Sequence, residues 1–443
     1  MTDRQAATAS TSTGSPPSRW NIGSAACGAV LLLLALFMPW NVRFGFGIDG
    51  SNTVAYVVLV VVTLLSLGSI VTPAARTRLL LNVGYLLFVV FIVVGDTVFT
   101  VIFGAVNSIP PGVGPGAWVG VAGALLCAQP RPSDFTADDP LLRRWFAASR
   151  VIGFLALAFG VQSFVFNMFW RIQSLGSGAA VDAGGAQRGG FVAAAAVYGL
   201  MSLAAVVIAA VWMIKNTQGS RLAITGLGAA SVVTALVVWA SDSGLGIVPF
   251  RGAVNNTTAG IGFQGYLLWA AAAGIVAPLT LRSAVSRKPI DTRPWCEALR
   301  YCLFLIGIWS VGQIAKFLVN FVLAMTGDVS LSTSVTVSLV LLNLATAILA
   351  LWLRAVLASG TVSTIIVVLC GLLFVLTDAR VIAEIMLTSS HITATFHVVL
   401  CILSLFIAAA ALRLRQVQAI ADADEEADPR GAGAPKIAIG STR

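Results

Sequence analysis

Apolar residues along this chain fall into long blocks, and short polar breaks part them almost from end to end. A helix needs ~20 apolar residues to cross a bilayer's hydrocarbon core. On that measure the pattern predicts twelve crossings, at about 22–42, 53–72, 79–103, 112–129, 150–170, 191–214, 222–241, 262–281, 299–325, 332–353, 361–378 and 392–413. The fourth block, PPGVGPGAWVGVAGALLCAQP, is short and Gly-rich, and the pattern alone leaves open whether it spans fully. The first block is followed by MPWNVRFG rather than a small-residue cleavage site, so it is read as a retained helix and not a signal peptide.

The polar positions recur. RRWFAASRVIGFL (143–155) and RPWCEALRYCLFL (293–305) share Arg, Trp, Ala, Arg, Phe and Leu at equal offsets, and FVFN (164–167) matches FLVN (317–320) further along. The next helices close alike, AVVIAAVW (205–212) before Lys215 and ATAILALW (345–352) before Arg354. A fainter third copy begins at SRW (18–20), with FMPWN (37–41) placing Asn41 where Asn167 and Asn320 sit. VVGDT, WASDS and VLTDA then put Asp96, Asp242 and Asp378 at the ends of helices three, seven and eleven. Four helices is an even number, so the copies share one orientation, unlike inverted repeats.

The expected architecture is therefore an all-α polytopic integral membrane protein, with about twelve transmembrane helices in three parallel four-helix repeats. Residues 1–18 and 417–443 read as disordered cytoplasmic tails, 19–130, 143–288 and 289–416 as the membrane units, and 131–142 as a cytoplasmic linker.

Composition agrees with this reading: 58% of residues are hydrophobic, 10% are charged, and mean hydropathy is +0.92, which excludes an ordinary soluble domain. The net charge of +9 would suit nucleic acid, but its distribution does not. With the N-terminus in the cytoplasm, 21 of the 27 Lys and Arg fall on inner segments; Arg43, Arg171, Arg188, Arg251 and Arg380 fall outside, and Lys316 lies within a span. That asymmetry is the positive-inside pattern. It implies a plasma-membrane protein with both termini cytoplasmic, partnered by the lipid bilayer and by membrane proteins or further copies of itself, not by nucleic acid. The six cysteines lie in or beside spans and read as small apolar fillers, with no disulfide framework.

Few residues could carry chemistry. Gln313, Lys316 and Asn320 share one face of helix nine, and a polar stripe on an apolar helix is expected to face protein or water rather than lipid. Lys316 lies sixteen residues beyond Arg300, about 24 Å along a helix, where snorkelling to headgroups is the competing reading. Asp378, Glu384 or Asp328 could pair with it. Asp96, Asp242 and Asp378 are either helix caps or, with Asn41, Asn167 and Asn320, the lining of an outward vestibule that attracts a cation or proton.

The two histidines, His391 and His397, with Glu384 lack any metal-site spacing, and no nucleotide-binding loop is present, so no metal and no cofactor is expected. A membrane transport or permeation protein with a polar path between its repeats is the leading expectation. A non-catalytic subunit or scaffold of an envelope complex comes second, and a membrane enzyme acting on a lipid-linked substrate third.

Overall fold

A computed structural model describes residues 19–41, 44–46, 48, 50–103, 113–131, 140–176, 185–241, 261–262, 264–286, 291–325, 333–388 and 391–427. Among these residues stand twelve α-helices: α1 (Arg19–Phe37), α2 (Thr53–Gly68), α3 (Ala75–Phe103), α4 (Pro115–Ala128), α5 (Pro140–Gly176), α6 (Gly185–Lys215), α7 (Gln218–Ser241), α8 (Tyr266–Ser286), α9 (Arg293–Met325), α10 (Thr333–Val356), α11 (Thr364–Thr388) and α12 (His391–Ala427). Eleven are long and apolar enough to cross a membrane. Their outward faces carry large apolar side chains such as Leu80, Phe91, Val151, Ile348 and Val368, as lipid contact requires. The chain is a multi-pass, all-α membrane protein.

The exception in length is α4, and every one of its fourteen residues is buried. Its ends show how it runs. Gly114 donates its backbone N–H to Trp40 O (2.6 Å), beside the C-terminal end of α1. At the other end Arg78 Nε, in the first turn of α3, donates to Cys127 O (3.0 Å). So α4 begins level with the end of α1 and stops level with the middle of α8, where Gln129 meets Gly274 and Ile275, sheathed by α1, α3, α7 and α8. Glycine makes this possible. A Cβ on Gly123 would lie 2.9 Å from Gly28 O and 3.0 Å from Leu32 N, so α1 and α4 cross backbone against backbone. The face of the bundle on which α1 begins is called the terminal face below, and the opposite one the far face.

Helix α8 contains Pro278, whose missing N–H leaves Gly274 O without its partner inside the helix. Gln129, buried just beyond α4, donates its Nε2 to Gly274 O and to Ile275 O (2.7 Å). A side-chain amide thus replaces a missing helix bond. Gln129→Leu is expected to cost about 1–3 kcal/mol, the penalty for an unsatisfied buried polar group. Adding Pro278→Ala, which restores an N–H, should recover most of the loss; thermal unfolding in detergent reads both.

At the terminal face the turns after α6 and α10 are built alike. Asn216 (φ 55°) and Gly360 (φ 78°) both take left-handed backbone there. Asn216 Nδ2 donates to Phe146 O (2.8 Å) on α5, and Cys296 Sγ on α9 approaches Gly360 O (3.8 Å). Helix α5 packs along α6 and α7 along α8, as α9 does along α10 and α11 along α12. In the first four helices the main pairing is instead α1 with α4.

Several boundaries differ from expectation. Helix α1 stops at Phe37 because Pro39 cannot continue it, and Pro39–Asn41 pairs with Phe44–Gly45 as a small antiparallel hairpin. Asn41 is therefore on a strand, while Asn167 and Asn320 are helical. Helix α12 runs to Ala427, through the stretch ADADEEA expected to be unstructured; Ala and Glu are good helix formers and extend it past the apolar part.

Candidate functional site: a buried charged cluster among α9, α10, α11 and α12

Helix α9 carries Ser310, Gln313, Lys316 and Asn320 on one face, over about 15 Å of rise. Below Ser310, toward the terminal face, the same helix buries Leu299, Cys302, Leu303, Leu305 and Ile306. The polar stripe thus occupies the far half of the helix and ends near its middle.

Each member of the stripe meets another helix. Asn320 Oδ1 accepts from Tyr198 OH on α6 (2.7 Å), and Lys316 Nζ lies 5.5 Å from the centre of the Tyr198 ring. Gln313, buried, donates weakly to Met201 Sδ (3.6 Å). Lys316 Nζ stands 3.7 Å from Glu384 Oε1 on α11, an ion pair longer than a direct hydrogen bond. The other carboxylate oxygen, Glu384 Oε2, lies against His397 Nδ1 on α12. Lys316, Glu384 and His397 therefore form one contact chain across three helices, with Glu384 between the two bases. Of the carboxylates weighed for Lys316, Glu384 and Asp378 are described, and Glu384 is the one in contact. The Lys316 side chain is 13% exposed and turned to Glu384.

One turn before Glu384, Arg380 is 1% exposed. Its Nη1 donates to Ser310 Oγ (3.1 Å) on α9 and Asn343 Oδ1 (2.9 Å) on α10, while Nε and Nη2 have no hydrogen-bond partner among the described residues. Sequence hydropathy placed Arg380 on an outer segment; it stands inside α11, which continues ten residues past the predicted end at 378. That correction leaves four of the five basic residues expected on outer segments. Trp309 packs edge-on against Phe396 (4.3 Å between ring centres) and lies 6.0 Å from the His397 ring, which fixes α12 against α9 at the level of the cluster.

Three helices give the cluster a similar depth below the far face. Lys316 is nine residues before the end of α9 and Arg380 eight before the end of α11, about 12–14 Å along each helix. His397 is six residues into α12, about 9 Å from that helix's beginning at the far face. Toward mid-membrane, Thr377 Oγ1 and Ser404 Oγ lie 2.7 Å apart between α11 and α12.

The remaining candidates are dispersed. Asp378 is half-buried on α11, with Cys401 Sγ 3.8 Å from its Oδ1. Asp96 stands on α3, which packs on α2 and α4; its side chain, like that of Asn167 on α5, is outside the described residues, as are Asp242 and Asp328 entirely. Helix α3 continues to Phe103 and α11 to Thr388, so Asp96 and Asp378 are within helices rather than at their ends. Asn41 sits in the hairpin packed on α4. No group of three or more His, Cys, Asp or Glu among the described residues could hold a metal ion. Glu384, Arg380 and His397 are the members that periodicity did not single out. The signal available was the four-residue spacing of Arg380 and Glu384, which puts them on one helix face once α11 is extended.

A family model described as a domain of unknown function (DUF7937) matches residues 24–415, from the first turns of α1 into α12. No curated protein and no solved structure matches the chain.

Proposed function

We propose a transport role for this chain, which belongs to the DUF7937 family: a polar path runs through the Lys316–Glu384–His397–Arg380 cluster, and the Glu384–His397 pair is its proton-carrying station. The observation that carries this reading is one carboxylate touching both an ammonium and an imidazole, buried among helices whose outer faces are apolar. Ionisable groups are costly within a membrane and, where kept, mark ion or proton pathways. A proton can pass between Glu384 and His397 without either helix moving, while Lys316 and Arg380 hold fixed positive charge on either side. Arg380 leaves two buried donors without a hydrogen-bond partner among the described residues. Each such group costs about 1–3 kcal/mol, a cost that a purely structural role would not maintain.

The finer architecture belongs to the same proposal. We read α5–α8 and α9–α12 as copies, supported by the shared Trp motifs and by a contact of residue 146 or 296 with a left-handed turn in each, though donor and acceptor are reversed. The first four helices are the divergent copy. Arginine and lysine on the terminal face support its assignment to the cytoplasm, and so a path whose polar part opens outward.

The test is proton flux into vesicles that hold the purified protein and a trapped pH indicator, driven by an imposed potential. Wild-type protein should dissipate the gradient, and His397→Gln should fall to the rate of protein-free vesicles. Equal rates with and without protein would favour the scaffold reading instead.

A further inference from the structure

Between them α1, α7 and α8 leave a crevice of about 700 Å³ floored by Ala122 and Leu126 of α4, with no residue of the charged cluster in its lining. Its walls are almost wholly apolar and built from small residues, so they stand apart where most helices here interlock. Helix α1 packs on α4 and barely touches α8, which keeps the crevice open along its length.

Three helices agree on how the crevice runs. It follows α1 from Arg19 to Leu31, α7 from Thr225 to Leu236, and α8 from Leu281 back to Ala270. Each stretch rises about 17 Å, close to half of the ~30 Å hydrocarbon core. The crevice therefore covers one leaflet, from the terminal face to mid-membrane. Its mouth is chemically distinct from its walls. Arg19 and Trp20 stand there, a cation and an indole at the depth where headgroups lie. Arg19 forms no ion pair among the described residues. Within the crevice the one polar wall group with a described bond, Thr225 Oγ1, is already satisfied by Arg221 O (2.8 Å), so the interior asks for an apolar ligand.

We infer that this crevice is a binding site for one acyl chain of an anionic phospholipid of the terminal-face leaflet, whose phosphate is held by Arg19 and whose glycerol region lies against Trp20. Leaflet-deep length, apolar walls and a single cation at the headgroup level all fit that occupant. A partner helix would need no cation at the mouth and would not be confined to one leaflet. The inference does not rest on transport, and the two can fail separately.

Gly23 supplies a clean probe. It lines the crevice, and a Cβ there would meet nothing within 4 Å, so a large side chain can fill the space without forcing α1 from α4. Gly371 on α11 is equally open and serves as the control. The protein is reconstituted with phosphatidylglycerol or phosphatidylcholine carrying a photoreactive group midway along one acyl chain, illuminated, and its labelled peptides are mapped. Label should concentrate on α1, α7 and α8. Phosphatidylglycerol should label about fivefold more strongly than phosphatidylcholine, the worth of one interfacial cation. Arg19→Gln should remove that preference while keeping the chain in place, and Gly23→Phe should abolish labelling where Gly371→Phe leaves it intact. Label spread evenly over all lipid-facing helices would overturn the inference. So would equal labelling by the two lipids in wild-type protein, or cross-linking of a second copy or of residues 1–18 into the crevice.

Discussion

Glu384→Gln is expected to destabilise the protein by about 3–5 kcal/mol, the usual cost of removing one partner from a buried ion pair. The reason is the charge left behind. Among the described residues Glu384 is the only carboxylate in contact with Lys316, and it touches His397 as well, so its loss strands a buried ammonium beside the Arg380 guanidinium. Lys316→Met in the same chain should recover part of the loss, because Arg380 keeps its bonds to Ser310 and Asn343. A double-mutant cycle on unfolding in mixed detergent micelles gives the coupling directly. If the single changes are additive, Lys316 and Glu384 are independent and the cluster is not a unit.

The second large effect falls far from any charge. Gly123→Val should prevent α1 from docking on α4, because the new side chain would press on Gly28 O and on Leu32 N, backbone atoms that cannot rotate away. Overpacking within a tight core costs about 1–3 kcal/mol, and a backbone-to-backbone crossing with no room to yield belongs at the upper end or beyond. Since α4 is buried on all sides, its displacement also removes Gln129 from the Pro278 gap in α8. Gly95→Val on α3, where a Cβ meets nothing within 4 Å, is the matched control and should be nearly silent. Folded yield by size-exclusion chromatography after mild detergent extraction separates the two.

The membrane class and the run of twelve helices were legible because a block of apolar residues some twenty long has few soluble alternatives. The stripe of Gln313, Lys316 and Asn320 was legible for a related reason: one lysine in an apolar helix is conspicuous, and three- and four-residue spacing fixes its neighbours. Its partner was narrowed to three carboxylates, Glu384 among them, but not chosen. Hydropathy ends helix eleven at 378 because Asp378, Arg380 and Glu384 lower the local average, although the helix carries Arg380 and Glu384 inward. Charges buried by pairing look, in a sequence, like charges in a loop. The same averaging made a tail of ADADEEA, which continues α12, and merged Pro39 and Trp40 into a helix that Phe37 ends. Long-range satisfaction was equally hidden. Gln129 and Pro278 are each unremarkable alone, and only packing shows that one repairs the other.

The most direct measurement is the reaction of Gln313→Cys with a membrane-impermeant thiol reagent, in a chain whose six native cysteines are replaced by alanine, applied to sealed vesicles from each face in turn. A polar path through the cluster requires reaction from the far face alone, much faster than for Leu303→Cys on the apolar part of the same helix. Silence from both faces, or equal rates at the two positions, would mean that water does not reach the cluster, and the path would have to be abandoned.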